Sequence, residues 1–137
     1  MRDKDKTNLV KWFDEVWTKG NESVIDQMLD RDILSHGIGQ DGEMRGIDAF
    51  KGFYKDFKNQ LFDIRVDVDD VISEDGIETA RCSVTARDAN GSPVRFNGLC
   101  MARFENGKIV EAWNHFDFLS MYQQMGYQLS AQVPSSS

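Results

Sequence analysis

Asn106-Gly107-Lys108-Ile109-Val110-Glu111-Ala112-Trp113-Asn114-His115-Phe116-Asp117 decides how this chain is read, because it joins a tight turn to one last strand. Asn-Gly between two runs of alternating residues is a strong hairpin signal, since both residues tolerate the positive φ such a turn needs. The strand that follows delivers an aromatic, an amide, an imidazole and a carboxylate between Trp113 and Asp117. A cluster of that kind at a strand end can wall a pocket, and it can equally make a dimer seam.

Upstream of the turn the period of two continues. Pro93 to Glu105 and Ile77 to Arg87 read as strands, and Phe62, Ile64, Val66 and Val68 alternate with polar partners in another. Glu74-Asp75-Gly76 and Asn90-Gly91-Ser92 are the short connections between them. Before Leu61 the period becomes helical: Ile47, Phe50, Phe53, Tyr54, Phe57 and Leu61 form one wide aromatic face after Arg45-Gly46, with Asp48 placed to complement the helix dipole. Gln40-Asp41-Gly42-Glu43 reads as a loop, and Ile33 to Gly39 as a short extended segment that carries His36.

Nearer the start, Leu9, Val10, Phe13, Val16 and Trp17 follow a helical stripe with Trp12 on its flank and Gly20 placed to stop it. Asn21 is the expected N-cap of a short second helix carrying Val24, Ile25, Met28 and Leu29, ended by Asp30-Arg31-Asp32. After Asp117, itself a preferred N-cap residue, a last helix through Leu119, Tyr122 and Met125 is expected to stop at Gly126. Helices first and an antiparallel meander afterwards predict an α+β fold, with helices packed on one face of a curved, mainly antiparallel sheet. The expectation is a single domain over 1–137, with an ordered core of about 7–127 and a loose tail over 128–137 that includes Pro134-Ser135-Ser136-Ser137.

The chain's 137 residues suffice for one core without a metal or disulfide staple. Sixteen basic and 23 acidic residues give a net charge of −7, which repels a phosphate backbone and argues against a nucleic-acid partner. No apolar stretch approaches the ~20 residues of a membrane span, and the charged start has no apolar region behind it to make a signal peptide. The expected setting is therefore the cytoplasm. Cys82 and Cys100 lie in strand-like segments outside any metal-ligand spacing and are expected to be buried free thiols. Asp67, Asp69 and Asp70 read as a solvated strand face rather than a metal site, and no cofactor is expected.

Strand parity assigns the faces. Glu78, Ala80, Cys82, Val84 and Ala86 on one strand, and Val94, Phe96, Gly98, Cys100, Ala102 and Phe104 on the next, belong inside. On the last strand Val110, Ala112, Asn114 and Phe116 are expected inside as well, with the Asn114 amide beside the small residues Ala80, Cys82, Gly98 and Ala102. Small residues on a curved sheet under an aromatic helix leave room for a cavity, unless the Phe-rich helix packs tightly into it. The opposite face collects Arg81, Leu99, Met101, Trp113 and His115, a mixed apolar surface that suits a homodimer contact.

The order of elements, together with Gly107-Lys108-Ile109-Val110-Glu111-Ala112-Trp113-Asn114 and Asp117, Gln123-Gln124-Met125-Gly126, and Arg45-Gly46-Ile47-Asp48-Ala49-Phe50, resembles the SnoaL-like polyketide cyclase branch of the nuclear transport factor 2-like superfamily. The resemblance runs from about Asn8 to Gly126. It implies a cone-shaped α+β barrel with a hydrophobic small-molecule pocket at its mouth, usually in a homodimer. It also implies a choice among cyclases, steroid isomerases, dehydratases, epoxide hydrolases and binding proteins without activity, because fold membership predicts shape better than reaction. The position after the strand Trp, commonly an acid in the cyclases, looks like Asn114. Against the steroid isomerases, the general base looks like His36, the helix-one Tyr like Phe13 and the inner-strand acid like Cys100.

The candidate catalytic residues are thus His36 as base, Asn114 as oxyanion donor and Asp117 as mouth-side acid or helix cap. Phe13, Trp17, Phe53, Cys100 and Phe116 are the expected pocket lining for a small hydrophobic molecule. Three functions remain open: an enzyme on a hydrophobic carbonyl compound, a non-catalytic binding protein, and a dimeric assembly module. The enzyme requires His36 and Asn114 to point into one connected cavity.

Overall fold

Asn106 and Gly107 take φ of 54° and 78°, and Asp75 and Gly76 take 53° and 81°, so two of the three expected hairpins turn on paired residues with positive φ. These turns belong to a computed structural model that describes residues 7–39 and 42–130. The chain runs α1 (Asn8–Trp12), continued by a π-helical stretch (Phe13–Thr18), then α2 (Ser23–Met28), β1 (Leu29–His36), β2 (Glu43–Arg45) and α3 (Ile47–Gln60). It closes with β3 (Phe62–Glu74), β4 (Ile77–Arg87), β5 (Pro93–Glu105), β6 (Lys108–Phe116) and α4 (Phe118–Gln124).

The six strands form one curved, open sheet in the order β2-β1-β6-β5-β4-β3. Among the described residues only β1 and β6 run parallel; the other neighbours are antiparallel. That single parallel pairing brings the N-terminal third of the chain against the closing strand. No helix among the described residues is long and apolar enough to cross a membrane.

Four local expectations are corrected. The loop expected through Glu43 ends in β2, whose three residues pair with Leu34, Ser35 and His36 and are too few to show a period of their own. Gln40 and Asp41 of that loop, and 131–137 of the expected tail, lie outside the described residues. Asn21 does not cap α2 with its side chain: Glu22 holds the cap position, and Asn21 Oδ1 accepts from the Ser23 hydroxyl at 2.7 Å. Asp30-Arg31-Asp32 lies within β1, the helix having ended at Met28. In helix one, Lys19 N donates to Asp14 O at 2.8 Å, an i→i+5 bond of the wider π turn that the apolar stripe did not distinguish from α.

Parity holds along β4 and β5, where Ala80, Cys82, Val84, Val94, Cys100 and Ala102 are all buried. On β6 it holds only from Ala112 onward. Arg103 pairs with Glu111 and Phe104 with Ile109, which leaves Val110 as an extra, bulged residue. The bulge turns Ile109, 2 % exposed, into the core in place of the expected Val110.

Helix one is tied to the sheet by a carboxylate. Glu78, buried on β4, accepts from Leu9 N at 2.8 Å and from Asn8 N and Nδ2 at 3.3 and 3.0 Å. It thereby satisfies helix N–H groups that Thr7, at the nominal cap position, leaves unbound by its side chain. The aromatic face of α3 packs as predicted: Tyr54, 1 % exposed, donates its hydroxyl to Val16 O at 2.7 Å, and Trp17 meets its ring edge-on at 4.9 Å. Burying each such ring stabilises the fold by roughly 2 kcal/mol.

Candidate functional site

A cavity of about 80 Å³ lies between the inner face of the sheet and the helices. Phe13 and Trp17 from helix one and Phe50 and Phe53 from α3 line it from the helical side. Ser35 from β1, Cys100 from β5, and Ala112, Asn114 and Phe116 from β6 line it from the sheet. All five residues expected in the lining, Phe13, Trp17, Phe53, Cys100 and Phe116, are there.

The space is not where the small residues led us to expect it. Ala80, Cys82 and Ala102 are fully covered core, with helix one packed on β4. Gly98 is roofed by Phe116: a Cβ at Gly98 would lie 2.2 Å from that ring. The cavity sits instead beside the β1–β6 pair, where Ser35 and Ala112 are partners in register.

His36 is not in it. Ile33 and Ser35 face inward along β1, so the next residue must face outward. The imidazole lies on the outer face, stacked on Trp113 at 5.4 Å and 14°. Its Nε2 stands 2.7 Å from Glu111 Oε2 and its Nδ1 3.4 Å from Glu43 Oε2, while Arg103 engages the other Glu111 oxygen at 2.5 Å. The hydrogen bond from His36, aided by Arg103 and opposed by burial, holds the Glu111 carboxyl below the usual carboxylate range. The expected base and oxyanion donor are therefore separated by the sheet, and the pairing of His36 with Asn114 in one cavity is corrected.

Asn114 does line the cavity, but its Nδ2 already donates to the His36 backbone carbonyl at 3.0 Å. Asp117 is exposed and does not line the cavity; its Oδ1 accepts from Ser120 N at 3.0 Å, so the cap reading of this residue is the one realised. Both thiols are free and buried, and burial pushes the Cys82 thiol up to about 12 and Cys100 upward in the same way. Cys100 is thus a small apolar wall rather than a nucleophile at neutral pH.

The residue that sequence reasoning missed is Ser35, 4 % exposed and facing the cavity. The segment itself carries no clear signal for it, because Ile33 and Leu34 are both apolar; the pairing of β1 with β6 is what fixes Ser35 as inward-facing. On the outer face, Leu99 stands opposite Arg81 and His115, and Met101 opposite Trp113. Leu99 is 49 % exposed, while Arg81 is engaged by Asp70 at 2.6 Å.

The architecture is that of the nuclear transport factor 2-like α+β fold, with an apolar cavity over the closing strand. The family model of the SnoaL-like polyketide cyclases matches residues 7–125, and the chain belongs to that family. Among solved structures it is similar to a candidate polyketide cyclase from Bacillus cereus, at 26 % identity over 81 % of this chain and 73 % of that one, with a TM-score of 0.73. It is likewise similar to a nuclear transport factor 2-like protein of unknown function from Exiguobacterium, at 27 % identity over 81 % and 98 % of the two chains and a TM-score of 0.68. TsrD from Streptomyces laurentii shares the fold at 18 % identity over 92 % and 98 % of the two chains, with a TM-score of 0.75. No curated protein matches the chain.

Proposed function

We propose that this protein binds a small, neutral, hydrophobic molecule in the cavity between helix one, α3 and β6, without using His36 as a catalytic base. The observation that carries this reading is the placement of the His36 imidazole across the sheet from a cavity whose lining, among the described residues, holds no Asp, Glu, Lys, Arg or His. Proton abstraction beside a carbonyl needs a base within hydrogen-bond reach of the reacting carbon. The only ionisable lining group among the described residues is the Cys100 thiol, which burial keeps protonated.

Size narrows the ligand. An apolar cavity of about 150 Å³ accepts benzene. At about 80 Å³ this one takes a single ring only if the ligand extends outward between the half-buried rings of Trp17, Phe53 and Phe57. Titration with toluene, followed by the fluorescence of Trp12 and Trp17, tests the reading. Saturable binding, abolished by Ala112→Leu, is expected; no binding, or consumption of a compound from a panel of polyketide, steroid and epoxide substrates that depends on His36, overturns it.

A homodimer through the outer face is the second part of the proposal. Leu99 and Met101, 49 % and 37 % exposed, lie side by side with Trp113 and His115 on adjacent strands. A second copy of the chain placed there covers both apolar side chains. Two free buried thiols fit a cytoplasmic setting, where cysteines stay reduced.

A further inference from the structure

Apart from the indoles of Trp12 and Trp17 and the Cys100 thiol, the polar side chains that line the cavity are Ser35 and Asn114, on the adjacent strands β1 and β6. Ser35 is 4 % exposed and faces the cavity from β1, yet its hydroxyl has no hydrogen-bond partner among the described residues. No buried side-chain N or O atom among the described residues lacks a partner, so the Ser35 hydroxyl is open to the cavity rather than sealed in the core, within reach of a ligand's polar group. Asn114 lies one inward position beyond Ala112, the residue paired with Ser35 across the parallel strands. Its Nδ2 is held by the His36 carbonyl at 3.0 Å, which fixes the amide and leaves Oδ1 as an acceptor with no side-chain or capping donor among the described residues.

We infer that Ser35 and Asn114 form a hydrogen-bonding subsite for the hydroxyl of a small neutral alcohol or phenol, whose ring or chain packs against Phe13, Cys100 and Phe116. The inference rests on the cavity being the ligand site. A hydroxyl matches Ser35 and Asn114 better than other neutral groups. It offers one donor, for Asn114 Oδ1, and acceptor lone pairs, for the Ser35 hydroxyl. A ketone or ether satisfies Ser35 and leaves Asn114 Oδ1 unpaired, and an ionised ligand meets no countercharge in the lining. No bond is made or broken in the ligand.

Phenol and toluene differ by a hydroxyl in place of a methyl and make the test. Dissociation constants of both are measured for the full chain and for Ser35→Ala. Phenol is expected to bind the wild type at least as tightly as toluene; Ser35→Ala should weaken phenol about ten-fold, the effect of one lost hydrogen bond to a desolvated group, and change toluene by less than about two-fold. Retained toluene binding shows that the variant is folded. Toluene bound more tightly than phenol by the wild type, or phenol affinity unaltered in the variant, overturns the subsite while the cavity remains a ligand site. Failure of both probes to bind the wild type removes the cavity reading and the subsite together.

Discussion

The His36 carbonyl accepts a hydrogen bond from Asn114 Nδ2 at 3.0 Å while the His36 imidazole lies on the other side of the sheet. One residue thus supports the cavity with its backbone and the outer face with its side chain. The parallel pairing of β1 with β6 is what puts both within reach of the closing strand.

It follows that His36→Ala leaves the cavity intact. Toluene affinity should change by less than about two-fold, within the spread expected of a residue that contributes only its backbone to the site. The same variant should unfold at a lower urea concentration than the wild type, because it removes the hydrogen bond to Glu111 and the stacking on Trp113.

Glu111 carries the pH dependence of that outer cluster. Its carboxyl is held below the usual range, so its stabilising contribution is fully present above the unfolded-state value, about 4.3, and is lost as the pH falls through the lower folded-state value. The thermal midpoint of the wild type should exceed that of Glu111→Gln above about pH 5, and the gap should close as the pH is lowered further through the acid range. A gap that is independent of pH would mean that the carboxylate charge plays no part.

Glu78 is predicted to matter more than any surface acid. Glu78→Ala leaves the first N–H groups of helix one without acceptors in a buried place, and should cost about 2 kcal/mol in denaturant unfolding. A loss below about 0.5 kcal/mol would be the size expected of an ordinary surface substitution and would contradict the capping role.

Much of this arrangement was legible in the sequence. The strands over Ile77 to Arg87, Pro93 to Glu105 and Lys108 to Phe116 have the bounds that alternation and turn residues predict. So do the inward faces of β4 and β5 and the five lining residues. What escaped notice depends on pairing across the fold. Ile33 and Leu34 are both apolar, so the segment bearing His36 does not declare its own inner face; its partners on β6 and β2 do. The bulge at Val110 and the π turn of helix one insert a residue without changing composition, so periodicity passes over them.

The two thiols should be silent in the folded state. With Cys82 raised to about 12 and Cys100 pushed up by burial, thiolate is scarce at pH 8. A charged thiol reagent should therefore label neither residue until denaturant is added, when both react. The sign of the linkage also follows: the stability linked to keeping these thiols protonated is complete below the unfolded thiol value of about 8.5 and declines as the pH rises towards the folded ones. Rapid labelling of the native protein would contradict the burial.

The outer face makes its own prediction. Leu99→Asp places a charge in the proposed contact, and sedimentation should show the wild type as a dimer and this variant as a monomer with unchanged toluene binding. A monomeric wild type at high concentration would contradict the dimer.

A crystal structure of the protein saturated with toluene decides between the neutral cavity and the His36 face as the place the ligand occupies. The expected ring reaches Phe13, Cys100 and Phe116 at its inner end and extends outward between Trp17, Phe53 and Phe57, with the His36–Glu111 pair undisturbed. A cavity still empty at saturation, or a ring stacked on the Trp113 side of the sheet, would contradict binding in the cavity.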